Sequence, residues 1–175
     1  MISYAGIGSR QITDDETATI IKIANQLSEK YVLYSGNAEG SDIAFQNGSN
    51  NNCVLIVPWK NFNRDKYSHD RCIERIDCGD TIEGNASIDM FHPSPSSLSM
   101  GGRRMMARNY HQIHGVGKYP KVSFVICCAN RDEHGKIYGG TGQACRIAES
   151  LNIPVINIRD AFYEEMLEQT LKEVA

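Results

Sequence analysis

Gly139-Gly140-Thr141-Gly142-Gln143 stands between an apolar run at residues 122–129 and a helical pattern at 144–151. Strand, glycine-rich turn and helix in that order are how α/β proteins hold a phosphate. Glycine lets backbone N–H groups approach the anion, and the helix N-terminus supplies positive potential. Two further glycine turns follow apolar runs, at Gly6-Ile7-Gly8-Ser9-Arg10 and from Ser35-Gly36 to Gly40-Ser41-Asp42. All three are expected to face one ligand.

The rest of the chain supports an alternating α/β reading. Residues 2–5 form a first apolar strand that should stop in a turn at Gly6. Thr13-Asp14-Asp15-Glu16 is a capping box, followed by an apolar face at Ile20, Ile21, Ile23, Ala24 and Leu27. Strands are expected at 31–34, 53–57, 122–129 and 154–158, and helices at 41–47, 103–114, 144–152 and over the stripe from Tyr163 to Val174. Strands alternating with helices predict a Rossmann-like three-layer α/β fold: a mostly parallel, doubly wound sheet of about five strands in the order 3-2-1-4-5. Right-handed crossovers bring every strand-to-helix turn to one edge, and Gly8 and Gly140 to opposite sides of the switch-point crevice. Residues 60–100 interrupt the rhythm. They are polar, with Pro93, Pro95 and a serine-rich stretch, and are expected to be a lid-like excursion from a single domain spanning 1–175.

Composition bounds the function. A chain of 175 residues is long enough to bury a full core without staples. Six cysteines lack the paired spacing of a zinc site, and the chain opens in a strand rather than a leader, so a cytoplasmic location is expected. No apolar run approaches the ~20 residues of a membrane span. A net charge of -3 gives no general attraction to nucleic acid or anionic lipid, so anion binding must be local.

The motifs taken together resemble the SLOG superfamily. They are Tyr4-Ala5-Gly6-Ile7-Gly8-Ser9-Arg10, Ser35-Gly36 through Asp42 with Ala44-Phe45, Pro58-Trp59 with Phe62-Asn63, Met106-Ala107-Arg108-Asn109, and Gly139 to Ala144 with Arg146-Ile147-Ala148. That Rossmann-like group includes the DNA-processing protein DprA and the LOG phosphoribohydrolases, and the pattern is most similar to its small single-domain branch in bacteriophage and bacterial genomes. The resemblance implies a nucleotide-type ligand in the glycine crevice. In LOG enzymes the motif P-G-G-x-G-T-x-x-E carries a catalytic glutamate, with an arginine on the preceding helix. Here Tyr138 takes the proline position, Gln143 the threonine position and Arg146 the glutamate position. A guanidinium that stays charged cannot activate water or protonate a leaving base. Arg146 is therefore expected to hold an anion, and Arg103 or Arg104 to clamp a phosphate.

Each candidate has a plainer reading. Ser9 and Arg10 suit a phosphate or a tight turn with a solvated guanidinium. Asp42, the one weak candidate for catalysis, caps a helix or binds a ribose hydroxyl before it acts as acid or base. Trp59 stacks on a base or, with Phe62, seals the core edge. Cys127 and Cys128 read as core, Met105 and Met106 as packing, and the five histidines, His69 among them, form no metal spacing. No metal or cofactor is expected.

The expected ligand-binding set is Gly8, Ser9, Arg10, Ser35, Gly36, Asp42, Trp59, Arg103, Arg104, Arg108, Asn109, Gly139, Gly140, Thr141, Gly142, Gln143 and Arg146. The function expected is binding of a nucleotide derivative, such as ADP-ribose or a cyclic form, by a sensor or a sequestering protein of anti-defence type. Alternatives are LOG-like N-glycosidic hydrolysis and DprA-like single-stranded DNA binding. The cluster Arg103, Arg104, Arg108 with Tyr110 would serve DNA, but it spans one helix in an acidic chain, which disfavours a nucleic-acid partner. The superfamily resemblance also implies a homo-oligomer.

Overall fold

The computed structural model describes residues 2–65 and 72–175; His69 lies outside the described residues. In chain order the elements are β1 (Ile2–Gly8), α1 (Asp14–Leu27), β2 (Tyr31–Ser35), α2 (Ser41–Gly48), β3 (Cys53–Val57), β4 (Glu74–Asp77), α3 (Ile82–Phe91), a 3-10 turn (Pro95–Ser97), α4 (Met100–His114), β5 (Phe124–Cys128), α5 (Gly139–Ser150), β6 (Val155–Asn157) and α6 (Tyr163–Val174). The strands form one sheet in the order β4-β3-β2-β1-β5-β6. Every pairing is parallel.

The fully apolar strands are buried on both faces because successive side chains point to opposite sides of the sheet. Tyr4, Leu33, Leu55, Phe124 and Ile126 join one core with α1, α2 and α6. Ala5, Ile7, Val32, Tyr34, Val54, Ile56 and Val125 join the other with Ile113 of α4 and Ala144, Ile147 and Ala148 of α5. Strand order reverses at β1, which has β2 on one side and β5 on the other. The turns after β1 and β5 therefore lead to opposite faces and leave a crevice between them. The capping box forms as expected: Glu16 N donates to Thr13 Oγ1 at 3.1 Å and Thr13 N to Glu16 Oε2 at 2.8 Å. None of the helices is long and apolar enough to cross a membrane among the described residues.

Three local readings change. The sheet has six strands, because residues 60–100 contribute β4 and, beyond it, α3. β4 is a four-residue edge strand, Glu-Arg-Ile-Asp, and α3 buries only Gly84, Ser87 and Ile88, so neither carries an apolar period to read. β1 does not stop at Gly6; it continues, pairing Gly6, Ile7 and Gly8 with Ile126, Cys127 and Cys128. Gly6 is there for close packing, since a Cβ on it would lie 2.5 Å from the Phe45 ring. Finally, α5 begins at Gly139, so the opening glycines are the first turn of the helix rather than a loop ahead of it.

Candidate functional site

A cavity of about 450 Å³ opens at the C-terminal ends of β1 and β5. One wall is Gly8-Ser9-Arg10. Ser9 N donates to Cys128 O at 2.7 Å, while Ser41 N and Oγ donate to Ser9 O at 3.1 and 2.9 Å. These bonds pin the β1 turn between β5 and α2. The Ser9 hydroxyl is spent locally, bonding Gln11 N and O.

The facing wall is the first turn of α5. Its N-cap, Tyr138, contributes no side-chain bond, so the opening N–H groups are left without a capping side chain. Asn109 of α4 fixes this turn from behind, donating to Gly140 O and Gln143 Oε1, both at 3.1 Å.

α4 crosses the interior. Met105, Arg108, Asn109 and Gln112, at i, i+3, i+4 and i+7, all line the cavity. Arg108 is only 4% exposed and lies 3.7 Å, Nη1 to Oδ2, from Asp42, itself 4% exposed. Asp42 Oδ2 also accepts from Ala38 N at 3.1 Å. The guanidinium rests where a Cβ on Gly36 would be, so only glycine leaves it room. Its carbon stands 5.9 Å from the Phe62 ring centre. Burial pushes the Asp42 carboxyl up to about 6, against the opposing pull of Arg108, the backbone N–H groups of Ala38 and Gly36, and Arg10. Burial also lowers Arg108, with Asp42 opposing. The pair leaves donors over: Arg108 Nε and Nη1 and Gln112 Nε2 are buried without a hydrogen-bond partner. Gln143 Nε2 is a further such donor, behind the wall.

Of the residues expected from the sequence, Gly8, Ser9, Arg10, Asp42, Arg108, Asn109, Gly139, Gly140 and Thr141 meet around this cavity. The remainder do not line it. Ser35 is fully buried and accepts from Gln46 Nε2 at 2.7 Å. Gly36 sits beneath Arg108, and Gly142 backs onto the Ile137 carbonyl. Gln143 is fully buried against Asn109. Trp59 packs edge-on against Phe62, with ring centres 5.0 Å apart, and lies half-buried against the core. Arg103 reaches Pro95 O at 3.4 Å, and Arg104 pairs with Asp80 at 2.7 Å. Arg146 donates from Nε to Phe91 O at 2.8 Å, tying α5 to the end of α3. Of Arg103, Arg104, Arg108 and Arg146, all expected at the site, only Arg108 lines the cavity. A formal charge in the sequence does not say which guanidinium points inward.

Gln112 and Tyr138 are cavity residues that the sequence reading did not anticipate. Gln112 could have been found as the next inward position along α4, one helical turn beyond Arg108 and Asn109, and Tyr138 as the residue immediately before the glycines. Among the described residues no group of three or more His, Cys, Asp or Glu side chains is arranged to hold a metal.

The sheet order and the crevice at its reversal define the chain as a Rossmann-like α/β protein, and its fold is like that of two solved DNA-processing proteins. It is similar in structure to DNA processing protein A of Helicobacter pylori, described for its single-stranded DNA binding mode, with a TM-score of 0.57 and 18% identity over 96% of this chain and 72% of that one. It is similar also to DprA of Streptococcus pneumoniae, with a TM-score of 0.57 and 16% identity over all of this chain and 57% of that one. At these identities the likeness is one of fold. No protein-family model and no curated protein matches the sequence.

Proposed function

We propose that the crevice binds a phosphorylated nucleoside derivative, of the size range from a nucleoside monophosphate to ADP-ribose, and that the protein holds this ligand as a sensor or sequestering protein. The observation that carries the reading is Arg108: a guanidinium 4% exposed, lining the cavity, with Nε and Nη1 lacking a hydrogen-bond partner although Nη1 lies 3.7 Å from Asp42 Oδ2. Buried donors are ordinarily satisfied, and leaving one unpaired costs about 1–3 kcal/mol or more for a charged group. A phosphate oxygen would satisfy them, together with Gln112 Nε2 and the uncapped N–H groups of α5. A cavity of about 450 Å³ lies within the range of small-ligand sites.

Holding is favoured over cleavage. Asp42 is the only carboxylate among the described residues that line the cavity, and it faces Arg108. The position of the LOG glutamate is Arg146, engaged with Phe91 O. Single-stranded DNA is less well served, because Arg103 and Arg104 have protein partners and do not form an open basic track.

The test is Thr141→Glu. An acidic residue in the first turn of a helix is compatible with its dipole, so folding should persist, while a carboxylate at the α5 N-terminus repels a bound phosphate. Nucleotides incubated with the wild-type protein should be recovered intact after denaturation, and the variant should retain none. Release of free base, or equal retention by the variant, would defeat the proposal. Tight binding of single-stranded DNA that weakens steeply with salt would replace it with the DNA reading.

A further inference from the structure

We infer that Tyr138 is the base-stacking residue of this crevice, so that the ligand is recognised as an aromatic-base nucleotide rather than as a sugar phosphate. The inference rests on the function proposed above and adds which end of the ligand meets which wall. Tyr138 lines the cavity yet is 57% exposed, which places its ring at the mouth. Exposure alone would mean little, since single exposed apolar groups are common on protein surfaces. The backbone around it, however, is braced on both sides. Ile137 bridges Arg131 in antiparallel fashion. Arg131 donates to Asp160 Oδ1 and Gly135 O, both at 2.8 Å, and Asp132 Oδ1 accepts from His134 N and Lys136 N, both at 2.9 Å. On the other side Gly142 N donates to Tyr138 O at 3.1 Å. The ring is carried on a tied frame, which is what low-cost stacking requires.

The polarity of the cavity gives the ligand its direction. The unpartnered donors, Arg108 Nε and Nη1 and Gln112 Nε2, are buried, so the anionic group belongs inside. The other end of a nucleotide then lies toward the mouth, where the Tyr138 ring stands. An aromatic face there is suited to a planar heterocycle, and stacking of this kind tolerates different bases because each has a π-face.

Tyr138→Ala is a clean variant because the side chain makes no capping bond to α5. Calorimetric titrations of wild type, Tyr138→Ala and Tyr138→Phe would use AMP, ADP-ribose and ribose 5-phosphate as probes. The expected result is a loss of about 5- to 150-fold in affinity for AMP and ADP-ribose in Tyr138→Ala. Affinity for ribose 5-phosphate should be unchanged, and Tyr138→Phe should behave as wild type. Unchanged AMP and ADP-ribose affinity in Tyr138→Ala, or an equal loss for ribose 5-phosphate, overturns the stacking role while the crevice reading stands. If the wild-type protein binds none of the three probes, both fall together.

Discussion

Arg108 and Asp42 form a buried pair whose two halves should fail differently. Burial raises Asp42 from the 3.8 of a free aspartate to about 6. In Arg108→Met the carboxyl loses its counter-charge, but it has an escape: it can take up a proton. The charge-dependent loss at pH 7 is then comparable to the cost of keeping that proton about one pH unit above its folded value, on the order of 1 kcal/mol. Asp42→Asn has no such escape, because Arg108 keeps its charge at any working pH and is left buried without a partner, at a cost of about 3–5 kcal/mol. The pH dependence has a definite sign. A carboxyl whose folded pKa lies above its unfolded value binds more protons when folded, so its charge costs stability above about 6, and that cost fades as the pH falls toward 3.8. The charge-dependent part of the Arg108→Met deficit should therefore vanish by pH 5.5, while that of Asp42→Asn should persist. Urea denaturation followed by circular dichroism at pH 7.0 and 5.5 measures all four values. A larger deficit for Arg108→Met than for Asp42→Asn at pH 7, or an Arg108→Met deficit that does not shrink at pH 5.5, would refute the reasoning.

Further outcomes follow from the same structure. Thr141→Glu should abolish nucleotide retention with an unchanged circular dichroism spectrum, and Tyr138→Ala should separate base-bearing ligands from ribose 5-phosphate in calorimetry. Gly6→Ala places a methyl 2.5 Å from the Phe45 ring; overpacking of this kind costs about 1–3 kcal/mol and should lower Tm by several degrees in a thermal melt. Glu16 is held at about 2, chiefly by its bond to Arg159, with Thr13 N–H adding to the effect. A depressed carboxyl contributes stability above its unfolded value near 4.5 and loses it as pH falls toward 2. Glu16→Gln keeps a capping acceptor but drops the ion pair, so its acid unfolding curve should be shallower across that interval than the wild-type curve.

Much of the fold is legible because its signals are local. The continuous apolar runs of β2, β3 and β5 announce strands buried on two faces, and Thr13 with Glu16 marks the start of α1 within a single helical turn. β4 and α3 escape notice for the converse reason: one is a short charged edge and the other buries a single large apolar side chain, Ile88, beside Gly84 and Ser87, so neither leaves a periodic trace. The crevice is half legible. The glycine turns identify its walls, since N–H groups at a helix start and an open turn after β1 are encoded by neighbours in the chain.

What lies between those walls depends on residues far apart in sequence. Arg103, Arg104 and Arg108 stand on one helix with the same formal charge, yet Asp80 takes Arg104, Pro95 takes Arg103, and Arg108 is drawn inward over Gly36 toward Asp42. The sequence by itself determined the alternation of strand and helix, and with it the parallel sheet and the edge where a ligand can bind, because backbone hydrogen bonding and side-chain periodicity act within a few residues. Only the tertiary structure decided which guanidinium is buried, that Trp59 and three other arginines are withdrawn from the site, and which donors remain unpaired. Desolvation depends on everything packed around a group, and for Arg108 the decisive neighbours are Gly36 in the turn after β2 and Asp42 in the first turn of α2, separated from α4 in the chain by β3, β4 and α3.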